Sequence, residues 1–171
     1  SGGWLPRHDR QARAQSADRR PVVRQALGNF GNLYLVREDY QQADTWLRRS
    51  QAWFDAHPKA PDDDRASVLS NLPHAAHGLK DLRRADALYA RAQRTMLALY
   101  PDGNPNLAVL LNNRALLNGD RGDLQAALAL HQQSLAMRRK VFSNEHPMTL
   151  TGMTSVARVS LQLGKLADAL A

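Results

Sequence analysis

The segment "DLRRADALYARA", residues 81–92, decides the fold, because it returns twice in the chain at a constant distance. "DYQQADTWLRRS" occupies residues 39–50, and "DLQAALALHQQS" occupies residues 123–134. Each copy therefore begins 42 residues after the one before it. A fixed period between about 20 and 50 residues is typical of a solenoid, in which each unit buries its apolar surface only against its neighbours.

Four sets of residues repeat with the same period, two that begin inside the quoted segment and two outside it, and small or apolar side chains dominate them. The sets are Ala43, Ala85, Ala127 and Ala169; Tyr40, Leu82, Leu124 and Leu166; Leu27, Leu69, Leu111 and Met153; and Asn29, Asn71, Asn113 and Ser155. An alanine kept at one position suits a close approach of two helix axes, because a larger side chain would push them apart.

Within one period the pattern predicts two helices joined by a turn. Leu107, Leu111 and Ala115 follow helical spacing, residues 118–123 supply turn-forming residues, and helical spacing resumes at Leu124. Each unit is therefore predicted to be a helical hairpin.

Prolines mark specific places in these helices. Pro105 and Pro147 lie 42 residues apart and suit the first turn of a helix, where a missing N–H goes unused. Pro73 instead falls inside a predicted helix, at the position that holds Ala115 in the next unit. An interior proline removes a helical hydrogen bond, so we expect a kinked or split helix there. His146, just before Pro147, is predicted to cap or turn the chain.

A small residue in the first helix, then Leu or an aromatic residue, then alanine three places later resembles the tetratricopeptide repeat. The 42-residue length, "NLAVLLNN" at 106–113 and "NEHP" at 144–147 are similar to the kinesin-light-chain type, which is widespread in bacterial signalling proteins. The resemblance covers about residues 22–171. It implies an all-α fold, an α-solenoid of stacked antiparallel helical hairpins that forms a superhelix.

On this basis the chain divides into three complete repeats and part of a fourth. They occupy residues 22–63, 64–105, 106–147 and 148–171, the last being the first part of a truncated repeat. Ser1-Gly2-Gly3 is typical of a tag remnant, so residues 1–21 are interpreted as that remnant followed by a candidate second helix of a preceding repeat at about residues 4–14. These boundaries indicate a fragment of a longer array.

The resemblance also implies where a ligand would bind, because first helices line a concave groove in this family. The predicted groove residues are Asn29, Asn32, Ser70, Asn71, His74, His77, Asn112, Asn113, Thr154 and Arg158. A carboxamide can both donate to and accept from a peptide backbone, so the asparagines suit an extended or helical peptide. The alternative is that these asparagines form hydrogen bonds only within or between hairpins. The lysines and arginines with which chaperone-binding relatives hold a terminal carboxylate are absent, except for Arg158.

Composition restricts the other classes of function. The chain has no cysteine, which excludes disulfides and thiol catalysis, and no stretch of about 20 apolar residues that could span a membrane. The net charge of +7 raises the question of nucleic acid. Most arginines, however, fall on predicted second helices, whose outer faces are solvated, without aromatic residues to stack bases. The arginines of second helices are Arg48, Arg49, Arg83, Arg84, Arg91, Arg94, Arg138 and Arg139, and a second group is Arg7, Arg10, Arg13, Arg19 and Arg20.

Catalytic and metal chemistry find little support. His74 and His77 share one side of a helix, but no carboxylate is placed to complete a metal site, so we predict no metal and no cofactor. His131 replaces an apolar or aromatic residue and is interpreted as partly buried packing. The sequence "DAHPKAPDDD" at 55–64 is interrupted by proline and lysine, and helix capping explains it better than calcium binding. Phosphate loops and nucleophile motifs are missing, so no catalytic residue is predicted and the chain is not expected to be an enzyme.

The sequence therefore predicts a protein–protein interaction module that binds a peptide or partner domain in its groove. The alternative is a regulatory or sensor segment of a larger bacterial signalling protein, such as a kinase or nucleotide-driven switch, with its chemistry elsewhere. Nucleic-acid binding through arginines ranks lower, and no membrane partner is expected. A cytoplasmic location and self-association through exposed repeat ends are further expectations.

Overall fold

The structure of the protein, a computed structural model, describes residues 7–58 and 62–164, with side chains for residues 22–58 and 64–164. Throughout these ranges every regular element is an α-helix, and no strand occurs. The helices are α1 (Arg7–Val36), α2 (Tyr40–Ala56), α3 (Asp62–Gly78), α4 (Leu82–Leu99), α5 (Pro105–Asp120), α6 (Leu124–Val141) and α7 (Pro147–Gln162). The all-α prediction is confirmed.

The helices form three hairpins followed by one further helix. Helix α1 packs on α2, α3 on α4 and α5 on α6, while α7 packs on α6. The first helices of the hairpins also lie side by side, since α3 contacts both α1 and α5. This is the stacked arrangement expected of a helical solenoid. Among the described helices, none is both long and apolar enough to cross a membrane.

Three aspartates fix the beginnings of the second helices. Asp39, Asp81 and Asp123 are the N-caps of α2, α4 and α6, and each side chain accepts a hydrogen bond from the backbone N–H three residues later, at 3.0–3.1 Å. Such a cap satisfies one of the helix's unpaired N–H groups and stabilises it by about 1 kcal/mol. The aspartate that opens each copy of the repeated segment is therefore a helix-start signal.

The residue before each aspartate adopts a left-handed backbone conformation. Glu38 has a φ of 57° and Lys80 a φ of 62°, while glycine fills the equivalent positions 122 and 164 with φ of 80° and 74°. The chain reverses there through hydrogen bonds back to the first helix, such as Lys80 N–H to the His77 carbonyl at 2.9 Å and the N–H of residue 81 to the Ala76 carbonyl at 3.1 Å. One turn geometry thus recurs every 42 residues.

The repeated small residues are packed between helices. Ala43, Ala85 and Ala127 are buried, with exposures of 0%, 0% and 1%. A Cβ atom added at Gly31 would lie 2.6 Å from the Leu47 side chain. A larger residue at these positions would separate the two helices of a hairpin.

Helix α3 continues from Asp62 to Gly78 through Pro73, so the predicted splitting of this helix is wrong. Pro73 is fully buried and lies beside Leu69 and Leu72 in the core, where packing offsets the hydrogen bond that proline cannot donate. A kink at Pro73 stays a prediction. The positions of the other prolines are confirmed, since α5 and α7 begin at Pro105 and Pro147.

The N-terminal part of the chain differs from the repeat pattern. Helix α1 runs without interruption from Arg7 to Val36, so the described residues of the segment 4–14 lie in the same helix as residues 22–36. Residues 1–6 and 165–171 lie outside the described residues. The assignment of the segment 4–14 to a preceding repeat stays a prediction, as do the boundaries of the four repeats.

Ion pairs of acidic side chains on second helices join neighbouring hairpins. Asp44 on α2, whose side chain is 10% exposed, lies 2.5 Å from the guanidinium of Arg84 on α4. Asp86, 42 residues after Asp44, lies 3.1 Å from Arg121 and 3.8 Å from Arg114, but its side chain is 38% exposed. The same repeat position therefore carries an acidic side chain in two hairpins, in a buried pair in one and a solvated pair in the other.

Candidate functional site

The candidate site is the surface on which the first helices lie side by side, and we call it the groove. It is formed by the exposed and half-exposed side chains of α1, α3 and α5, which pack side by side, and it continues onto α7, which packs on α6. The described residues that define it are Asn29, Asn32, Asn71, His74, His77, Asn112, Asn113, Leu116, Asp120, Thr154 and Arg158.

Two of the predicted groove asparagines bind each other. The side-chain amide of Asn71 on α3 donates to the Asn32 Oδ1 atom on α1 at 2.6 Å, and it also lies 3.4 Å from the Ser67 hydroxyl. Both side chains are half-buried. This hydrogen bond joins the first two hairpins, so the Asn71 amide has a structural role whether or not a ligand binds.

The asparagines of α5 make fewer hydrogen bonds within the protein. The Asn112 amide donates to Asn113 Oδ1 at 3.5 Å, a long contact, and Asn112 Oδ1 is buried without a hydrogen-bond partner. Among the described residues, none accepts a hydrogen bond from the Asn113 amide. The Asn113 amide is therefore available to a ligand, whereas the Asn71 amide is already hydrogen-bonded to the neighbouring hairpin.

The predicted hydroxyl and cationic positions differ in accessibility. Ser70 is 1% exposed and its hydroxyl donates to the Ser67 carbonyl at 2.9 Å, so we leave it out of the groove. Thr154 is exposed, but its hydroxyl donates to the Leu150 carbonyl in its own helix at 3.1 Å. Arg158 is exposed and Asn29 is exposed, so both are accessible to a ligand.

The two histidines of α3 line a cavity of about 150 Å³ between α3 and α5. His77 Nε2 lies 2.9 Å from the carboxylate of Asp120. Burial and the neighbouring His77 lower the pKa of His74, and the ring of Tyr40 meets the His74 ring edge-on, with centroids 6.1 Å apart. The cavity thus combines the His77–Asp120 hydrogen bond, a second imidazole and an aromatic ring.

A second cavity, of about 180 Å³, lies between α5 and α7 and has α6 as its floor. Arg158 and Asp120 lie on its rim and His131 on α6 is part of its lining. His131 is 1% exposed, so the expectation of partial burial is corrected: the ring is fully inside. Desolvation and the cations Arg158 and Arg138 lower the pKa of His131 to about 4, so the imidazole is neutral at pH 7.

Sequence reasoning missed Asp120 and the site around His131. His77 and Asp120 are 43 residues apart, and Asn32 and Asn71 are 39 apart, so each pair is separated by about one repeat. A search for complementary polar residues at one period, plus or minus one helical turn, would have found both pairs. The cavity beside His131 has no such paired signal. The one sign of it in the sequence is a polar residue, His131, at a position that holds Leu47 and Tyr89 in the other hairpins.

The arginines of the second helices do not all lie on a solvated face. Arg48, Arg49, Arg83, Arg91, Arg94 and Arg139 are exposed as expected. Arg138, however, is 3% exposed and donates to the Met148 carbonyl at 2.5 Å, which corrects the expectation of a solvated side chain there. Arg84 is half-buried against Asp44. The side chains of Arg7, Arg10, Arg13, Arg19 and Arg20 lie outside the described residues.

The groove carries groups that suit the recognition of a partner. In the described part of the chain, no group of three His, Cys, Asp or Glu side chains is placed to hold a metal ion. The groove offers amide groups, a hydrogen-bonded His77–Asp120 pair and exposed apolar side chains such as Leu116, which is 37% exposed. These are the elements with which a protein surface holds a peptide.

Comparison with solved structures gives the same fold. BtubC (BKLC) from P. vanneervenii superposes with a TM-score of 0.74 at 18% identity, over 88% of this chain and 60% of that protein. A putative kinesin light chain from Podosopora anserina with nearly identical TPR-like repeats superposes with a TM-score of 0.71 at 19% identity, over 85% of this chain and 69% of that one. The chain thus spans about three fifths of the length of BtubC.

Sequence comparison is more specific about the family. No curated protein matches the chain. The tetratricopeptide repeat family profile, in contrast, matches residues 64–140 and 106–171, which together cover more than half of the chain. Repeats of this family are generally non-catalytic scaffolds for protein–protein interaction. With kinesin-light-chain-like proteins as its structural neighbours, the chain belongs to the tetratricopeptide repeat family.

Proposed function

We propose that this chain is a protein–protein interaction module that binds a peptide or a partner domain in the groove. Helices α1, α3 and α5 are already packed side by side, so this part of the receptor surface is preformed and a ligand orders few receptor groups on binding. Chemistry on the ligand is not part of this function, because the module acts by holding its partner.

The observation that carries the proposal is the free amide of Asn113 beside an exposed apolar residue. No described residue accepts a hydrogen bond from this amide, and Leu116, one helical turn further along α5, is 37% exposed and lines both groove cavities. A peptide main chain could accept from the amide while a side chain covers Leu116. Both groups gain on binding, because the amide finds an acceptor and the leucine leaves water.

The test uses peptides selected from a random displayed library against the chain. The affinity of the selected peptides would be measured by calorimetry for the unchanged chain, for Asn113→Ala and for Gln132→Ala. Gln132 is an exposed amide on α6 outside the groove and serves as the matched control. We expect Asn113→Ala to weaken binding about tenfold, the value of one hydrogen bond of roughly 1.4 kcal/mol, and Gln132→Ala to leave it unchanged.

Equal affinities for all three proteins would show that the peptide binds outside the part of the groove around Asn113. If no peptide is selected and the chain instead binds nucleic acid, with an affinity that falls steeply between low and physiological salt, the result would support binding through the exposed arginines. A regulatory role within a larger signalling protein would use the same groove, and it stays a prediction. A cytoplasmic location, self-association through exposed repeat ends and the absence of enzymatic activity also stay predictions.

A further inference from the structure

The second helices of the solenoid hold a cavity of their own, away from the groove. It lies between α4 and α6, has α5 as its floor and has a volume of about 350 Å³. The floor residues of α5 are Leu107 and Leu111, whereas the groove residues of the same helix include Asn113 and Leu116. The cavity is therefore a separate surface, and we call it the outer cleft.

The outer cleft is lined mainly by apolar side chains. Leu97 on α4 is 50% exposed, Ala136 on α6 is exposed and Met137 is half-buried, so apolar surface meets water above the buried floor. The remaining lining residues are Gln93, Gln133 and Lys140. A partner that covers this apolar surface gains the free energy of removing it from water.

The equivalent gap one repeat earlier, between α2 and α4, is polar and nearly closed. Its cavity has a volume of only about 30 Å³. The positions that hold Leu97, Leu107, Ala136 and Met137 in the outer cleft hold Asp55, Arg65, Arg94 and Thr95 in this earlier gap. Four polar side chains are thus exchanged for four apolar ones at a single gap. The outer cleft is a local specialisation, not a consequence of the repeated backbone.

The ion pair that joins the second helices of the earlier gap does not recur. Asp44 on α2 pairs with Arg84 on α4 at 2.5 Å. One period later Ala126 takes the position of Arg84, and Asp86 pairs instead with Arg121 at the end of α5, at 3.1 Å. This pair does not reach α6, so it leaves the space between α4 and α6 open.

The lining of the outer cleft carries a positive charge and no negative one. Lys140 is exposed near the end of α6, one helical turn from Ala136. Helix α6 has no Asp or Glu between Leu124 and Val141. The acidic residue of α4, Asp86, comes three turns before Leu97 and is already paired. A ligand that combines an apolar side chain with a carboxylate complements this surface.

We propose that the outer cleft binds an acidic amphipathic helix of a partner protein, at a second site that is independent of the groove. Helices α4 and α6 each have 18 residues and flank α5, so a further helix can lie along the furrow between them. Its leucine, methionine or phenylalanine side chain would enter between Leu97 and Ala136. A glutamate or aspartate one turn away would reach Lys140, because Lys140 is itself one turn from Ala136.

The experiment selects its probe from a displayed library of alanine-based helices of roughly 16 residues, long enough to be helical, with one face randomised. Affinities of the selected helices would be measured by calorimetry for the unchanged chain and for Ala136→Arg. The new arginine fills the cleft, and the fold tolerates it because Arg94 is exposed at the same position of the second hairpin. The matched control is Ala52→Arg, at the equivalent exposed position of the first hairpin.

We expect helices whose affinity falls at least tenfold in Ala136→Arg and is unchanged in Ala52→Arg and in Asn113→Ala. Their sequences should carry an apolar and an acidic residue one turn apart, and the methyl NMR signal of Met137 should shift as they bind. Because Asn113→Ala affects only the groove, failure of the outer cleft and failure of the groove are seen in different variants.

A second measurement tests the charge. Lys140→Gln should weaken a selected helix about threefold, as for an exposed ion pair, and should have no effect once the glutamate of that helix is replaced by glutamine. Arg83→Gln, at an exposed arginine near the start of α4, is the control and should change nothing.

The proposal is overturned if no helix is selected, if the selected helices bind Ala136→Arg as tightly as the unchanged chain, or if Lys140→Gln acts equally on the acidic and the neutral helix. A chain that sediments as a dimer without peptide, and as a monomer after Ala136→Arg, would assign the outer cleft to a second copy and would overturn it as well.

Discussion

The first and third junctions of this solenoid share a backbone plan but are held together differently. At the first junction, between hairpins one and two, side chains bind each other across the gap: Asn71 donates to Asn32, and Arg84 pairs with Asp44. At the third junction, between α6 and α7, Arg138 donates to a backbone carbonyl, and the groove side of the gap stays open. One junction is closed on both faces and the other on one.

The difference shows that repetition of the backbone does not make the repeats energetically equal. Turns and caps recur because they are set by short sequence signals. The closure of each gap depends instead on which side chains two successive hairpins happen to bring together. We therefore expect the first junction to contribute more to stability than the third, where the buried His131 Nδ1 atom has no hydrogen-bond partner. Four predictions test this division, in order of decreasing effect.

The largest effect should come from pH, through the third junction. His131 has a folded pKa of about 4, below its usual 6.5, so the unfolded chain binds the proton more tightly. Its contribution to stability is complete above pH 6.5 and is lost as the pH falls towards 4, by up to about 3 kcal/mol. Denaturant unfolding at pH 7 and pH 4.5 measures this loss.

The matched variant for the pH prediction is His131→Leu, which takes the residue of the first hairpin at this position. The variant should lose clearly less stability between the two pH values, although His74, whose pKa is also lowered, keeps part of the dependence. An unchanged loss in the variant would show that other groups cause the acid sensitivity.

The second prediction concerns the ion pair of the first junction. Asp44→Asn removes the charge that pairs with Arg84 in a site where the carboxylate is 10% exposed, and we expect about 2 kcal/mol of destabilisation, less than for a fully buried pair because Arg84 still reaches water. Asp86→Asn, at the equivalent and more exposed position, should lose less than about 1 kcal/mol. Chemical denaturation measures both, and equal losses would contradict the role assigned to burial.

The third prediction separates the two asparagines by function. Asn71→Ala removes the hydrogen bond to Asn32 at the first junction and should lower the free energy of unfolding by about 1 kcal/mol. Asn113→Ala should change stability by less than half of that, because its amide is not used within the protein. Thermal unfolding of both variants decides the point, and a larger loss for Asn113→Ala would assign that residue to structure.

The smallest effect should come from the left-handed turn residues. Glu38 and Lys80 adopt positive φ at a position that holds glycine in the third hairpin and after α7. Because a β-carbon is disfavoured in this conformation, Lys80→Gly should stabilise the chain by about 0.5–1 kcal/mol, while Gly122→Ala should destabilise it by a similar or larger amount. Opposite signs in the melting temperatures would confirm this, and a loss for Lys80→Gly would show that its side chain contributes more than the turn.

Much of the fold could be predicted from the sequence, because its signals are local. The starts of the second helices follow from the aspartates, and the start of α7 follows from Pro147, preceded by His146, whose ring nitrogen accepts from the Met148 N–H at 3.2 Å as predicted for a cap. These features require only the residue and its near neighbours, so the 42-residue period exposes them directly.

The candidate site was only partly predictable, because side-chain pairing depends on how adjacent hairpins are offset. The pairing of His77 with Asp120 requires knowing that neighbouring first helices are shifted by one residue from the strict period. The burial of Arg138 depends on the position of the carbonyl of residue 148, across a turn. The cavity above His131 arises because Gly119 has no side chain to fill it, and a cavity of this kind cannot be read from a sequence pattern.

The ion pair between Asp44 and Arg84 also fixes the order in which these hairpins can follow one another. In the third hairpin the position equivalent to Arg84 is Ala126. If the second and third hairpins were exchanged by recombination, the carboxylate of Asp44 would face an alanine and remain buried with a single cation, Arg48 at 3.9 Å. The repeats resemble one another, yet they are not interchangeable, because a contact between the first two requires them to be adjacent in this order.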